Sequence, residues 1–95
     1  MMAPDNELER LEKKYKIRTE KKFGRVYLYT QFEEFYFVES NSPNVRLMHY
    51  STRLLNPKDE YHVQFVKQLS LEQVFIYVTQ HTKAKYTNKY VRFKV

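Results

Sequence analysis

Val26-Tyr-Leu-Tyr-Thr-Gln-Phe-Glu-Glu-Phe-Tyr-Phe-Val38 decides the fold, because nowhere else are aromatic and β-branched residues so dense or so regularly alternated. Side chains alternate across a strand with a period of two. With a turn at Gln31 to Glu34, Val26 and Leu28 share one face with Phe35 and Phe37, while Tyr27 and Tyr29 share the other with Tyr36 and Val38. One face is aliphatic and Phe; the other is Tyr. The turn lacks the Gly, Pro or Asn that a tight two-residue hairpin favours, so one long strand bulged near Glu33 is the competing reading. The alternation on both sides of Gln31 favours the hairpin.

On the N-terminal side, Leu8, Leu11 and Tyr15 recur at helical spacing after Pro4-Asp5-Asn6, and Asn6 with Glu9 resembles a capping box. Glu9 to Lys13 and Glu12 to Lys16 are oriented for i,i+4 pairs worth about 0.2–0.5 kcal/mol each. Ile17 to Lys22 is polar and basic, an edge strand defended by lysines or a loop. Gly24, the only glycine, suits a position of positive φ just before the sheet.

On the C-terminal side, Ser40 to Asn44 is a loop and Val45 to Arg53 alternates again, with Val45, Leu47 and His49 opposite Met48 and Tyr50. Asn56-Pro-Lys-Asp59 suits a type I turn. Tyr61, Val63 and Phe65 then point one way, and His62, Gln64 and Val66 the other. Ser70 to Tyr86 is read as a helix, from the capping box Ser70/Gln73, the stripe Leu71, Val74, Phe75 and Val78, and a stop at Thr87-Asn88. Its run Val74-Phe-Ile-Tyr-Val78 would also suit a strand. Tyr90 to Val95 alternates once more and reads as a short final edge strand.

The expected architecture is a single α+β domain spanning residues 1–95, with residues 1–5 flexible. Its order is α-β-β-β-β-α-β, and a C-terminal amphipathic helix packs on the Phe/Val face of an antiparallel sheet. Ninety-five residues bury roughly two-thirds of their unfolded surface, enough for a core without staples. With no Cys, disulfides and thiolate metal sites are excluded. The longest apolar run, Val74 to Val78, falls far short of the ~20 residues that span a bilayer. With no signal-peptide pattern at the start, a cytoplasmic location and no membrane partner are expected. The Cys-free, Lys- and Tyr-rich composition suits a bacterial or mobile-element product.

A net charge of +6 favours anionic partners. Eight basic residues crowd Arg10 to Arg25, and the chain after Glu72 carries Lys and Arg with no acid. Stacking bases on aromatic side chains inside a positive field is how sheets hold single-stranded nucleic acid. Tyr27, Tyr29, Tyr36 and Tyr50 are therefore the expected stacking residues, with Lys21, Lys22, Arg25, Lys83 and Lys85 on phosphates. Few of these cations are Arg, so base-specific bidentate readout is not indicated. A homodimer or protein partner on the Tyr face is the alternative.

No catalytic residue, cofactor or metal is expected. There is no nucleophile motif, and one glycine excludes phosphate loops. His49, His62 and His81 fall in three different elements, and strict alternation puts His49 and His62 on opposite faces, where they cannot share a metal. Glu33-Glu34 reads as a solubilising turn tip. The stretch Tyr61 to Tyr86, a Tyr-His strand followed by Val74-Phe-Ile-Tyr-Val-Thr-Gln-His81 and Thr-Lys-Ala-Lys-Tyr86, resembles the C-terminal part of the small messenger-RNA-cleaving toxins of the RelE-like family. Over that quarter of the chain the resemblance implies acid/base and phosphate-stabilising roles for His81, Lys83, Lys85 and Tyr86, and requires Val74 to Thr79 to be a strand.

Overall fold

The computed structural model describes residues 1–31, 33–51 and 62–94, and their side chains as far as Lys83 apart from that of Ser51. Helix α1 (Asp5–Tyr15) is followed by strands β1 (Arg18–Lys22), β2 (Arg25–Tyr29), β3 (Glu33–Val38), β4 (Asn44–Ser51) and β5 (His62–Gln68), then helix α2 (Leu71–Lys94). The strands pair antiparallel in sequence order, β1-β2-β3-β4-β5.

The central hairpin has the expected faces, with Val26 opposite Phe37, Leu28 opposite Phe35 and Tyr27 opposite Tyr36. Its turn is tighter than Gln31 to Glu34. The Thr30 N–H donates to the Glu33 carbonyl at 3.0 Å, and the Glu33 N–H donates to Thr30 Oγ1 at 3.1 Å. A threonine hydroxyl thus stands in for the missing turn residue and makes Glu33 the first residue of β3.

Both helices lie on the Phe/Val face. Leu8, Leu11 and Ile17 meet Val26, Leu28, Phe35, Phe37, Val45 and Leu47 in one core, together with Leu71, Val74, Phe75 and Val78 of α2. The α2 stripe read from the sequence is the buried one, and its capping box is formed: the Ser70 N–H donates to Gln73 Oε1 at 2.8 Å and the Gln73 N–H to Ser70 Oγ at 3.2 Å. Each bond satisfies a backbone N–H at the helix start.

Three local expectations are corrected. The fifth strand is β1, and residues 90–94 continue α2 past Thr87-Asn88. Phe23 and Gly24 both have positive φ, 56° and 70°, which is the backbone of a type I′ turn joining Lys22 to its partner Arg25. That turn commits Arg18 to Lys22 to the sheet edge, whereas a helix once nucleated propagates cheaply through a six-residue segment whose alternation is too short to oppose it. Ahead of α1 the chain runs beside the end of β3 and the loop after it. The buried Ala3 donates its N–H to Glu39 Oε2 at 3.0 Å, and the Met1 ammonium reaches the carbonyls of Ser40 and Ser42, each at 2.6 Å. At α1, Pro4 holds the N-cap position without a side-chain cap bond, so the Asn6/Glu9 box is absent. Finally, Lys16 takes a left-handed φ of 56° and ends α1, which frees Glu12 to accept from the Thr19 N–H at 3.1 Å and from the Thr19 hydroxyl instead of pairing with Lys16. The Asn56 to Asp59 turn and Tyr61 lie outside the described residues, as does Val95.

Candidate functional site

The face of the sheet turned away from the helices carries the tyrosines. Strand parity gathers Tyr27 and Tyr29 of β2, Tyr36 of β3 and Tyr50 of β4 there, as the sequence predicts. Tyr27 sits at the centre with only 6% of its surface exposed. Its ring stacks on Tyr29 at 6.1 Å between centroids and tilts against Tyr36 at 5.3 Å. Tyr27 is therefore the filler of the patch, and the half-buried Tyr29, Tyr36 and Tyr50 make its outer surface.

Cations lie on these rings. The Arg18 guanidinium is 4.4 Å from the Tyr29 centroid, Arg25 is 4.4 Å from that of Tyr36, and Lys22 Nζ is 5.0 Å from that of Tyr27. Arg25 also donates to the Tyr27 hydroxyl at 3.1 Å. Stacking of this kind suits Arg, whose weakly hydrated planar group keeps donors to spare while one face rests on an aromatic. Arg18 was missed in the sequence because the strand that carries it was undecided. Arg46 shares the face by parity with Met48 and Tyr50, and it is exposed.

Other expected phosphate ligands are elsewhere. Lys21 points to the opposite side and bridges Asp5 at 3.0 Å and Glu39 at 3.5 Å, and its hydrogen bond to Asp5 leads the causes that raise its pKa. Lys83 is exposed on α2, which packs on the other face, and the side chain of Lys85 lies outside those described. Two acids interrupt the positive field. Glu20 pairs with Lys22 at 2.7 Å, which holds its carboxyl below the usual range, and partial burial pushes the Glu34 carboxyl up.

The helix-covered face holds a second constellation, which strict alternation hid. β5 carries one extra residue: Leu47 pairs with Phe65 but Met48 pairs with Val63, so Gln64 is a bulge. Beyond it the parity of β5 is reversed. His62 consequently joins His49 on the core side, with His49 Nδ1 and His62 Nε2 3.1 Å apart. Glu33, far from being a solubilising tip, is fully buried beside them: its Oε1 is 3.2 Å from His49 Nε2 and its Oε2 is 3.1 Å from His81 Nδ1. The Thr82 hydroxyl donates to Oε2 at 3.3 Å. His49 and His81 thus reach one carboxylate and His62 reaches His49, a grouping that local sequence spacing does not announce.

The strand that the ribonuclease-toxin resemblance requires is absent, since Val74 to Thr79 belong to α2. No protein family, curated protein or solved structure matches the chain. What fold and site define is a class: a small α+β domain with one sheet face sealed by two helices and the other paved with Tyr and Arg. Among the described residues no helix is long and apolar enough to cross a membrane.

Proposed function

We propose that the Tyr/Arg face binds single-stranded nucleic acid, with Tyr29, Tyr36 and Tyr50 as stacking surfaces and Arg18, Lys22, Arg25 and Arg46 as phosphate contacts. The observation that carries this reading is the pairing of guanidinium and ring at Arg18/Tyr29 and Arg25/Tyr36, both at 4.4 Å. A base that enters between such pairs keeps a π-face beneath it and a cation beside its phosphate. Stacking contributes about 1–3 kcal/mol per base and is sequence-tolerant, which fits a surface without a bidentate arginine fork.

Fluorescence anisotropy with mixed-sequence single-stranded RNA and DNA tests this. Binding at about 50 mM salt should weaken steeply by about 200 mM, because neutralised phosphates release counterions. Arg18→Ala and Arg25→Ala should each weaken binding and flatten that salt dependence, while Lys21→Ala, on the opposite face, should change neither. Absence of binding at low salt contradicts the reading.

A protein partner or a second copy of the chain is the other reading, favoured by exposed valines on the same face: Val38 at 56%, Val63 at 44% and Val66 at 52%. A mass that rises with concentration, without oligonucleotide binding, would select it.

A further inference from the structure

We propose that Glu33, His49 and His81 form a binding site for a divalent first-row transition metal ion of the zinc class, with His62 as the positioning residue behind His49. The proposal is independent of the nucleic-acid reading, because this cluster lies on the helix-covered side of the sheet.

Three observations converge. The first is donor geometry: one carboxylate and two imidazoles offer ligand atoms that all lie within 4.8 Å of one another. Ligands placed 2.0–2.1 Å from a tetrahedral zinc ion are roughly 3.3 Å apart. Each imidazole is already near that spacing from one of the two carboxylate oxygens, His49 Nε2 at 3.2 Å from Oε1 and His81 Nδ1 at 3.1 Å from Oε2 of Glu33, so the carboxylate would meet the ion with both oxygens turned to the histidines. The second is an orphan atom. His49 is 3% exposed, and its Nε2 faces Glu33 yet is out of line for a hydrogen bond, which leaves a buried ring nitrogen with no hydrogen-bond partner. Buried polar atoms are rarely left so, and a lone pair directed at a metal ion satisfies this one. The third is the surrounding layer. A metal-ligating imidazole usually fixes its orientation through its other nitrogen, and His49 Nδ1 has His62 Nε2 at 3.1 Å. Phe35 stacks on the His49 ring at 4.7 Å and meets His81 edge-on at 5.7 Å, so the apolar core holds both rings.

The chemistry of the set selects the ion. Two neutral imidazoles and one carboxylate suit zinc, cobalt, nickel or iron, whereas calcium and magnesium prefer all-oxygen sites. Three protein ligands leave a coordination position for a small molecule. His81, partly exposed at the rim, gives an ion its way in. On binding, His49 Nε2 and His81 Nδ1 each supply a lone pair to the ion.

The test uses the full chain stripped with a chelator. Zn2+ titration followed by side-chain nitrogen NMR should shift His49 Nε2 and His81 Nδ1 at about one equivalent, with a melting temperature that rises with free Zn2+. Co2+ should give visible d–d bands of a low-coordinate site. His81→Ala, at the rim, should weaken binding by more than about tenfold, and His62→Ala by about 10–100-fold. Lys83→Ala, an exposed position two residues further along α2, should leave it unchanged. The wild-type spectra decide the matter even if a variant misfolds. Unshifted His49 and His81 resonances in millimolar Zn2+, or shifts confined to His62, would overturn the proposal and leave Glu33 as the hub of a metal-free hydrogen-bonded cluster.

Discussion

At the scale of the residue, Phe35 and Phe37 anchor the core and Phe23 opposes its own backbone. Phe35 and Phe37 are buried to within 1% of their surface, so Phe35→Ala or Phe37→Ala should cost about 3–5 kcal/mol, measured by urea unfolding. A small domain has only about 5–15 kcal/mol in total. A midpoint unchanged by either substitution would refute the face assignment. Phe23 is the reverse case, an exposed aromatic held at a φ of 56° that β-carbon residues reach only at some cost. Phe23→Asn gives the type I′ turn its preferred Asn-Gly pair and should raise the melting temperature by about 4–8 °C, equivalent to about 1 kcal/mol.

At the scale of the element, the two helices are clasped by Glu72. It accepts from Lys14 at 2.6 Å and from the Tyr15 hydroxyl at 2.7 Å, and the hydrogen bond to Lys14 is the first of the interactions that hold its carboxyl below the usual range. Its folded pKa is therefore below its unfolded one. The stability this group contributes is complete above the unfolded carboxylate value near about 4.3 and disappears as pH falls through the folded value. Wild-type protein and Glu72→Gln should differ in thermal stability at neutral pH and converge below about pH 4; a constant difference would contradict the clasp. Much at this scale was legible in the chain. Alternation gave the faces of β2 and β3, and helical spacing with Ser70/Gln73 gave the start and buried stripe of α2. What escaped was non-local. The bulge at Gln64 depends on how two strands settle against each other, and strict parity therefore placed His62 on the wrong side. A turn without glycine looked like a loop tip, so Glu33 was read as solvated when a threonine hydroxyl had made it the first, buried residue of a strand.

At the scale of the whole molecule, the sheet divides its chemistry between two sides, and net charge is a poor guide to where the cations are engaged. Of the crowded N-terminal cations, Lys13, Lys14, Lys21 and Lys22 pair with Glu9, Glu72, Asp5 and Glu20, while Arg18 and Arg25 rest on tyrosines. Exposed pairs of that kind contribute little stability, about 0–1 kcal/mol each, but they do redistribute the field. Glu34 is the acid set among the tyrosines, and burial raises its pKa. The folded state thus binds its proton more tightly than the unfolded one, and its contribution to stability is lost as pH rises through the carboxylate range. Glu34→Gln should accordingly be at least as stable as wild type at neutral pH and bind single-stranded RNA more tightly; weaker binding would mean that the carboxylate itself contacts the ligand. The most direct test of the two-sided account is an amide NMR titration with mixed-sequence single-stranded RNA at low and high salt. Salt-sensitive shifts are expected at Arg18, Arg25, Tyr29, Tyr36, Arg46 and Tyr50, with α1 and the buried stripe of α2 unmoved. Shifts centred on the helices, or none at low salt, would contradict it.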